Sequence, residues 1–253
     1  MTDIQQAAQI QTLQKIPDIL READIEPSAR LLEAVTYAKA AADRSAVPRA
    51  QKRLREAAAE EFSEAANELA RAYAVEVLAW DNLNFQQDMQ TAKFRNLFDA
   101  LFADEGRIFE ALCINFNALV PKFSEAVGKL PNMEITSTWQ LGSEDFENLN
   151  QATTSAAEMR RYWRAYNSVS RSLGYLTANK QDGFGIAVFQ LGEPASQQAY
   201  LDAARQLSAS HQVGINPYSP LDPFVTLVHN HIPVNLIHPA DAAERNPVGK
   251  EAA

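Results

Sequence analysis

The sequence predicts a mainly α-helical protein in three parts: a helical body over residues 1–130 with one long helix, a small α+β unit with antiparallel strands over 131–215, and a proline-rich extended C-terminal arm over 216–253. Residues 49–105 contain neither glycine nor proline, the residues least favourable in a helix interior. Alternation of apolar and polar residues begins only after about residue 132, and half of the 12 prolines lie beyond residue 216.

Prolines divide the start of the body into short predicted helices. Residues 3–16 form a first helix, and Pro17 begins a new helical turn. Pro27 restarts the chain, and apolar residues at helical spacing follow from Ala29. Pro48 then marks the N-terminus of the long helix.

The long helix is predicted over about residues 48–90, roughly 60 Å at 1.5 Å per residue. Its first apolar stripe advances by three or four residues through Leu54, Ala58, Phe62, Ala65, Leu69 and Tyr73. Beyond Tyr73 a second stripe opens, so this half is expected to be covered on two sides. Because the helix is long for a domain of this size, we expect a contact with another copy of the chain, at Val75, Leu78, Trp80 and Phe85.

Two charge blocks lie at the start of the long helix. Residues 49–55 are basic, whereas residues 56–68 carry five glutamates. Basic side chains at a helix N-terminus oppose the helix dipole, so this placement is unfavourable for a single helix. The blocks are interpreted either as a solvated face or as a contact in which the basic end meets the acidic flank of another copy.

Helices and strands alternate after the long helix. A stripe from Phe94 to Phe102 predicts a helix, and Asp104 is expected to cap the next one, with Pro121 kinking or ending it. Ser155 is predicted to open a later helix through a capping box, and Pro194 another. Strands are predicted over Ile135–Leu141, Tyr175–Ala178 and Phe184–Leu191.

The C-terminal arm is predicted to contain two short extended runs, Phe224–Val228 and Val234–Ile237, between its prolines. It is too apolar for a simple disordered tail. We therefore expect it to lie across a surface of its own chain or of a neighbour, and Phe224 and Val225 join the predicted assembly contact.

Histidines in the arm are weak candidates for a metal site. On a strand, His229 and His231 would point to one face, and His238 follows downstream. Pro233 interrupts such a strand, and no second ligand pair at helical spacing is present. Packed or surface histidines are the alternative, and the prediction assigns no metal.

A basic-aromatic helix is a weak candidate for nucleic-acid binding. Arg160, Arg161, Trp163 and Arg164 interleave charge and rings, as in some single-strand binders. Ordinary amphipathic packing with arginines reaching solvent explains the same pattern.

Composition and motifs favour a protein without catalysis. The net charge of −9 argues against general binding to a phosphate backbone. The single cysteine, Cys113, lies in an apolar helical stretch and is interpreted as a buried, inert thiol. We expect no catalytic residues, no cofactor, no signal peptide and no membrane span, and a cytoplasmic location.

The leading functional prediction is a non-enzymatic assembly protein, a self-associating subunit of a homo-oligomer or particle. A phage or virus structural component and a cytoplasmic scaffold both fit this description, with other protein subunits or nucleic acid as further partners. The alternatives are a nucleic-acid-binding protein that uses the basic-aromatic helix and a metal-dependent enzyme at His229 and His231.

Overall fold

The computed structural model describes residues 3–40, 46–81, 83–131, 141–175, 191–192, 197–210 and 219–244. Within these ranges the chain forms α-helices and one short 3₁₀ helix and contains no strand, so the prediction of a mainly helical protein is confirmed. An isolated bridge pairs Gly192 with Val234.

The chain divides into two compact units. Unit 1 comprises Met1–Pro17 and Glu26–Asp104, and unit 2 comprises Asp18–Ile25 and Glu105–Ala253. The division into parts at residues 130 and 215 stays a prediction.

Unit 1 is built from helices packed in pairs. Its elements are α1 (Asp3–Glu22, of which the last residues belong to unit 2), α2 (Ala29–Ala40), α3 (Ala46–Glu56), α4 (Phe62–Asp81) and α5 (Leu83–Phe102). Helix α3 packs on α4, α2 packs on α5, and α4 also contacts α5. Helix α1 continues through Pro17 rather than restarting there.

The stretch without glycine or proline does not form the predicted long helix over residues 48–90. It divides into α3, α4 and α5, and residues 57–61 separate the first two. The division agrees with the charge blocks, because Arg53 and Arg55 fall in the last turn of α3 and Glu64 in the first turn of α4. Cations at a helix C-terminus and anions at a helix N-terminus both stabilise the helix dipole. A single helix would have carried the same charges at unfavourable positions.

Unit 2 is organised around two long helices in contact, α6 (Glu105–Gly128) and α7 (Ser143–Ser172). Among the described residues that follow, the helices are α8 (Gln197–Ser210), α9 (Phe224–His229) and α10 (Pro239–Glu244), with the 3₁₀ helix Ser219–Leu221 before α9.

Local contacts and backbone geometry mark where α7 begins and ends. At the N-terminus the Asp145 carboxylate accepts a hydrogen bond from the Gly142 amide at 2.9 Å. At the C-terminus Gly174 adopts a left-handed φ of 80°, which lets the chain turn away. Ser155 does not open a helix as predicted; it is buried inside α7. Helix α6 likewise continues past Pro121.

The predicted strands lie almost wholly outside the described residues. Ile135–Leu141 and Phe184–Leu191 each retain only their last residue there, and Tyr175–Ala178 retains only its first. The predicted antiparallel unit is therefore untested.

The described part of the predicted arm, residues 219–244, is not extended throughout, because short helices flank the non-helical run 232–238. Residues 219–244, called here the docked segment, pack on α6 and α7 of their own chain. Phe224–Val228, predicted as extended, lies in α9. Phe224 is fully buried, and its ring centroid lies 5.7–6.1 Å from those of Phe116, Phe123 and Trp163. The sequence predicts that this segment lies on its own chain or on a neighbour, and in the structure it packs on its own chain.

Polar contacts fix the backbone of the docked segment. The Asn117 side chain donates to the Leu236 carbonyl and accepts from the Leu236 amide, both at 2.8 Å. The Arg160 guanidinium donates to the carbonyls of Pro220 and, at 2.9 Å, Asp222. Main-chain groups that would lose water on packing are thereby satisfied.

Candidate functional site

The three candidate histidines lie in different local environments. His229 is half-buried, and burial lowers its pKa, with the neighbouring His231 adding to the effect. His231 is exposed and has a left-handed φ of 54°. His238 packs edge-on against Phe109 at 5.0 Å and Tyr175 at 5.8 Å. Across the described residues, no three histidine, cysteine or carboxylate side chains converge as a metal site.

The basic-aromatic helix is α7, and three of its four candidate residues contact their own chain. Arg160 binds the docked segment, as described above. Arg161 donates to the Asp24 carboxylate at 2.6 Å, and its guanidinium lies 5.1 Å from the Tyr162 ring centroid. Trp163 packs on Phe224, whereas Arg164 is exposed. These contacts give Arg160, Arg161 and Trp163 structural roles, and nucleic-acid binding by this helix stays a prediction.

The charge blocks pair within one chain. Arg53 on α3 donates to Glu64 at 3.1 Å and to Glu68, both on α4. Glu68 is the larger cause of a raised pKa at Arg53. Gln51 donates to the Tyr73 hydroxyl at 2.7 Å, so the two helices run antiparallel as a hairpin. This hairpin is a third arrangement, beside the solvated face and the inter-subunit contact expected from sequence.

The predicted assembly residues fall into three groups. Val75 on α4 is 55% exposed. Phe224 and Val225 are fully buried in their own chain, and their part in an assembly contact stays a prediction. The side chains of Leu78, Trp80 and Phe85 lie outside the described residues.

Over residues 62–76, helix α4 is covered on a narrow side only. From Phe62 to Glu76, Ala65 is the one buried residue. Phe62 is 55% exposed and Tyr73 45% exposed. A helix in a globular protein ordinarily buries a broad apolar stripe. The hairpin therefore presents apolar side chains that α3 does not cover.

A row of rings on α5, called here the phenylalanine ladder, is a second apolar surface of unit 1. Phe94, Phe98 and Phe102 stack along the helix, with centroids 5.8 and 6.2 Å apart and ring planes within 29° of each other. Phe102 is 53% exposed, and the other two rings are partly exposed. The ladder lies beside, not within, the buried stripe formed by Lys93, Leu97, Ala100 and Leu101.

The sequence predicts the apolar spacing on α5 but does not identify the ladder as an exposed surface. Apolar residues occupy two rows of this helix, and the contacts of α2 and α4 with α5 leave the ladder row partly exposed. On α4 the sequence predicts a contact at Val75, whereas Phe62 is predicted only as part of the apolar helix stripe.

Comparison of the chain with protein-family models, with curated proteins and with solved structures found no match. A search of the described helices for a long, apolar membrane-crossing segment found none.

Proposed function

We propose that the protein is a non-enzymatic, self-associating subunit of a homo-oligomer or larger particle. The observation that carries the proposal is the set of apolar side chains that unit 1 leaves exposed. Their exposed fractions lie between 45% and 55%, at Tyr37, Phe62, Tyr73, Val75 and Phe102.

Burial of these side chains supplies the driving force for association. Apolar surface removed from water contributes about 25 cal/mol per Å². Exposed apolar residues are ordinary when they are scattered singly, but grouped patches indicate interaction surfaces. Three of the five lie on α4, and a fourth, Phe102, ends the ladder on α5.

Charge also favours the hairpin as a meeting point for two copies. The whole chain has a net charge of −9, so two copies repel each other over most of their surfaces. Residues 49–68 carry four basic and five acidic side chains and are nearly neutral. Contact at this part of unit 1 therefore meets less repulsion than contact between two strongly acidic surfaces.

The proposal covers a structural component of a phage or virus and a cytoplasmic scaffold alike. Both settings need a self-complementary surface and no catalytic residues, and both allow additional protein subunits. Nucleic acid is a separate partner class, and its presence in the purified protein is read from the ratio of absorbance at 260 and 280 nm.

Light scattering coupled to size-exclusion chromatography tests the proposal. The full chain should show a mass above the 28.0 kDa of one copy, rising with concentration. The double variant Phe62→Glu/Val75→Glu should shift the equilibrium towards one copy. The matched control Ile114→Glu alters an exposed apolar residue of unit 2, 60% exposed, and should leave the mass unchanged. A single-copy mass at high micromolar concentration would overturn the proposal.

A further inference from the structure

We propose that two copies of the chain pair through helix α5, antiparallel and related by a two-fold axis at Phe98, with the phenylalanine ladders in contact. This inference rests on the proposed function and specifies one contact that produces self-association.

The ladder has the geometry of a helix-packing ridge. Residues four apart are about 6 Å apart along a helix axis, which matches the 5.8 and 6.2 Å between ring centroids. Rows of residues at this spacing are the ridges that fit into grooves of a second helix. Three evenly spaced rings also form a row that is symmetric about its middle member, Phe98.

A two-fold axis uses that symmetry. In such an interface both copies use the same surface patch, so if one residue contacts a second residue of the opposite copy, the reverse contact forms as well. With the axis at Phe98, Phe94 of one copy lies opposite Phe102 of the second copy, and the reverse pair forms as well. Phe102, the most exposed of the three rings, is thereby covered by Phe94 of the opposite copy in both copies.

Flanking charges select the antiparallel direction. Arg95 and Asp99 are exposed beside the ladder, and no ion pair for either is found among the described residues. With the axis at Phe98, Arg95 lies about 3 Å along the helix from Asp99 of the second copy, well within the reach of its side chain. The symmetric pair forms at the same time. A parallel two-fold pair would place the Arg95 and Asp99 side chains of the two copies on opposite edges of the interface, so neither cross-pair would form.

Charge reversal tests the pairing, with self-association measured by sedimentation equilibrium in 50 mM NaCl. Arg95→Glu and Asp99→Arg each replace two attractive pairs by two repulsive ones, and each should raise the dissociation constant at least about fivefold. The double variant Arg95→Glu/Asp99→Arg restores opposite charges across the axis and should return to within about twofold of the natural chain. Phe98→Ala should weaken association at any salt concentration, because its contact is apolar. Circular dichroism of each variant verifies that the helices are retained.

The outcomes separate this inference from the proposed function. A natural chain that associates while both single reversals leave the dissociation constant unchanged overturns the α5 contact and leaves self-association standing. Single reversals that weaken association without rescue by the double variant overturn the antiparallel geometry. A natural chain that remains one copy at high micromolar concentration overturns both.

Discussion

Removal of the Phe224 ring should destabilise unit 2 by about 4 kcal/mol. Phe224 is fully buried and packs edge-on against three rings, those of Phe116, Phe123 and Trp163. Truncation of a buried phenylalanine to alanine costs about 3–5 kcal/mol, from lost transfer free energy and from the cavity left behind. Loss of the edge-to-face contacts places Phe224→Ala in the upper part of that range.

Urea unfolding followed by circular dichroism measures this difference. The control Ile114→Ala changes an exposed side chain of α6 and should alter the free energy of unfolding by less than about 0.5 kcal/mol. Phe224→Leu keeps most of the volume and should fall between the two. A loss below about 1 kcal/mol in Phe224→Ala would show that the docked segment does not pack on α6 and α7, and would refute the reasoning.

Three other expectations follow from unit 2. Asn117→Ala removes both hydrogen bonds to Leu236 and should cost about 1–3 kcal/mol, with faster amide hydrogen exchange at Leu236; unchanged exchange would contradict it. Burial raises the pKa of Cys113 to about 11. At pH 8 the thiol should therefore react with a thiol reagent about a hundredfold more slowly in the folded chain than in urea, and equal rates would contradict this expectation. Burial lowers the pKa of His229, so the unfolded chain binds more protons at this side chain than the folded chain does. The free energy of unfolding should therefore fall as the pH drops from 7 through the ordinary histidine range. In urea titrations His229→Gln should make this pH dependence shallower, and an unaltered pH dependence would assign it to other groups.

The helices were predictable where local signals decide them. The end of α7 at Gly174 requires a left-handed residue, and glycine adopts that conformation freely. The break between α3 and α4 has no such local residue, since the sequence there is Ala57-Ala58-Ala59 followed by glutamates. Helix propensity favours continuing through it. The change from basic to acidic residues was the available signal, because it matches the end of one helix and the start of the next.

Long-range packing explains the errors in the C-terminal segment. Prolines correctly indicated short elements, but Phe224–Val228 has no pattern that distinguishes a buried short helix from an extended run. What fixes it is the pocket of rings from α6 and α7, whose members lie 61–108 residues earlier in the chain. The contacts of the candidate arginines within their own chain were not predictable for a related reason. Arg160 and Arg161 were recognised as basic, but their acceptors, in the docked segment and at Asp24, are remote in sequence.

Unit 2 is assembled from two separated stretches, and this affects its synthesis and dissection. Asp24 precedes its partner Arg161 by 137 residues, and the buried Leu20 and Ala23 belong to the same early stretch. During translation these side chains emerge long before α7 exists, so their docking is a late step of high contact order. A fragment that starts at Glu105 would lack them. Expression of unit 2 alone therefore calls for a circular permutation or a tethered peptide that restores Asp18–Ile25.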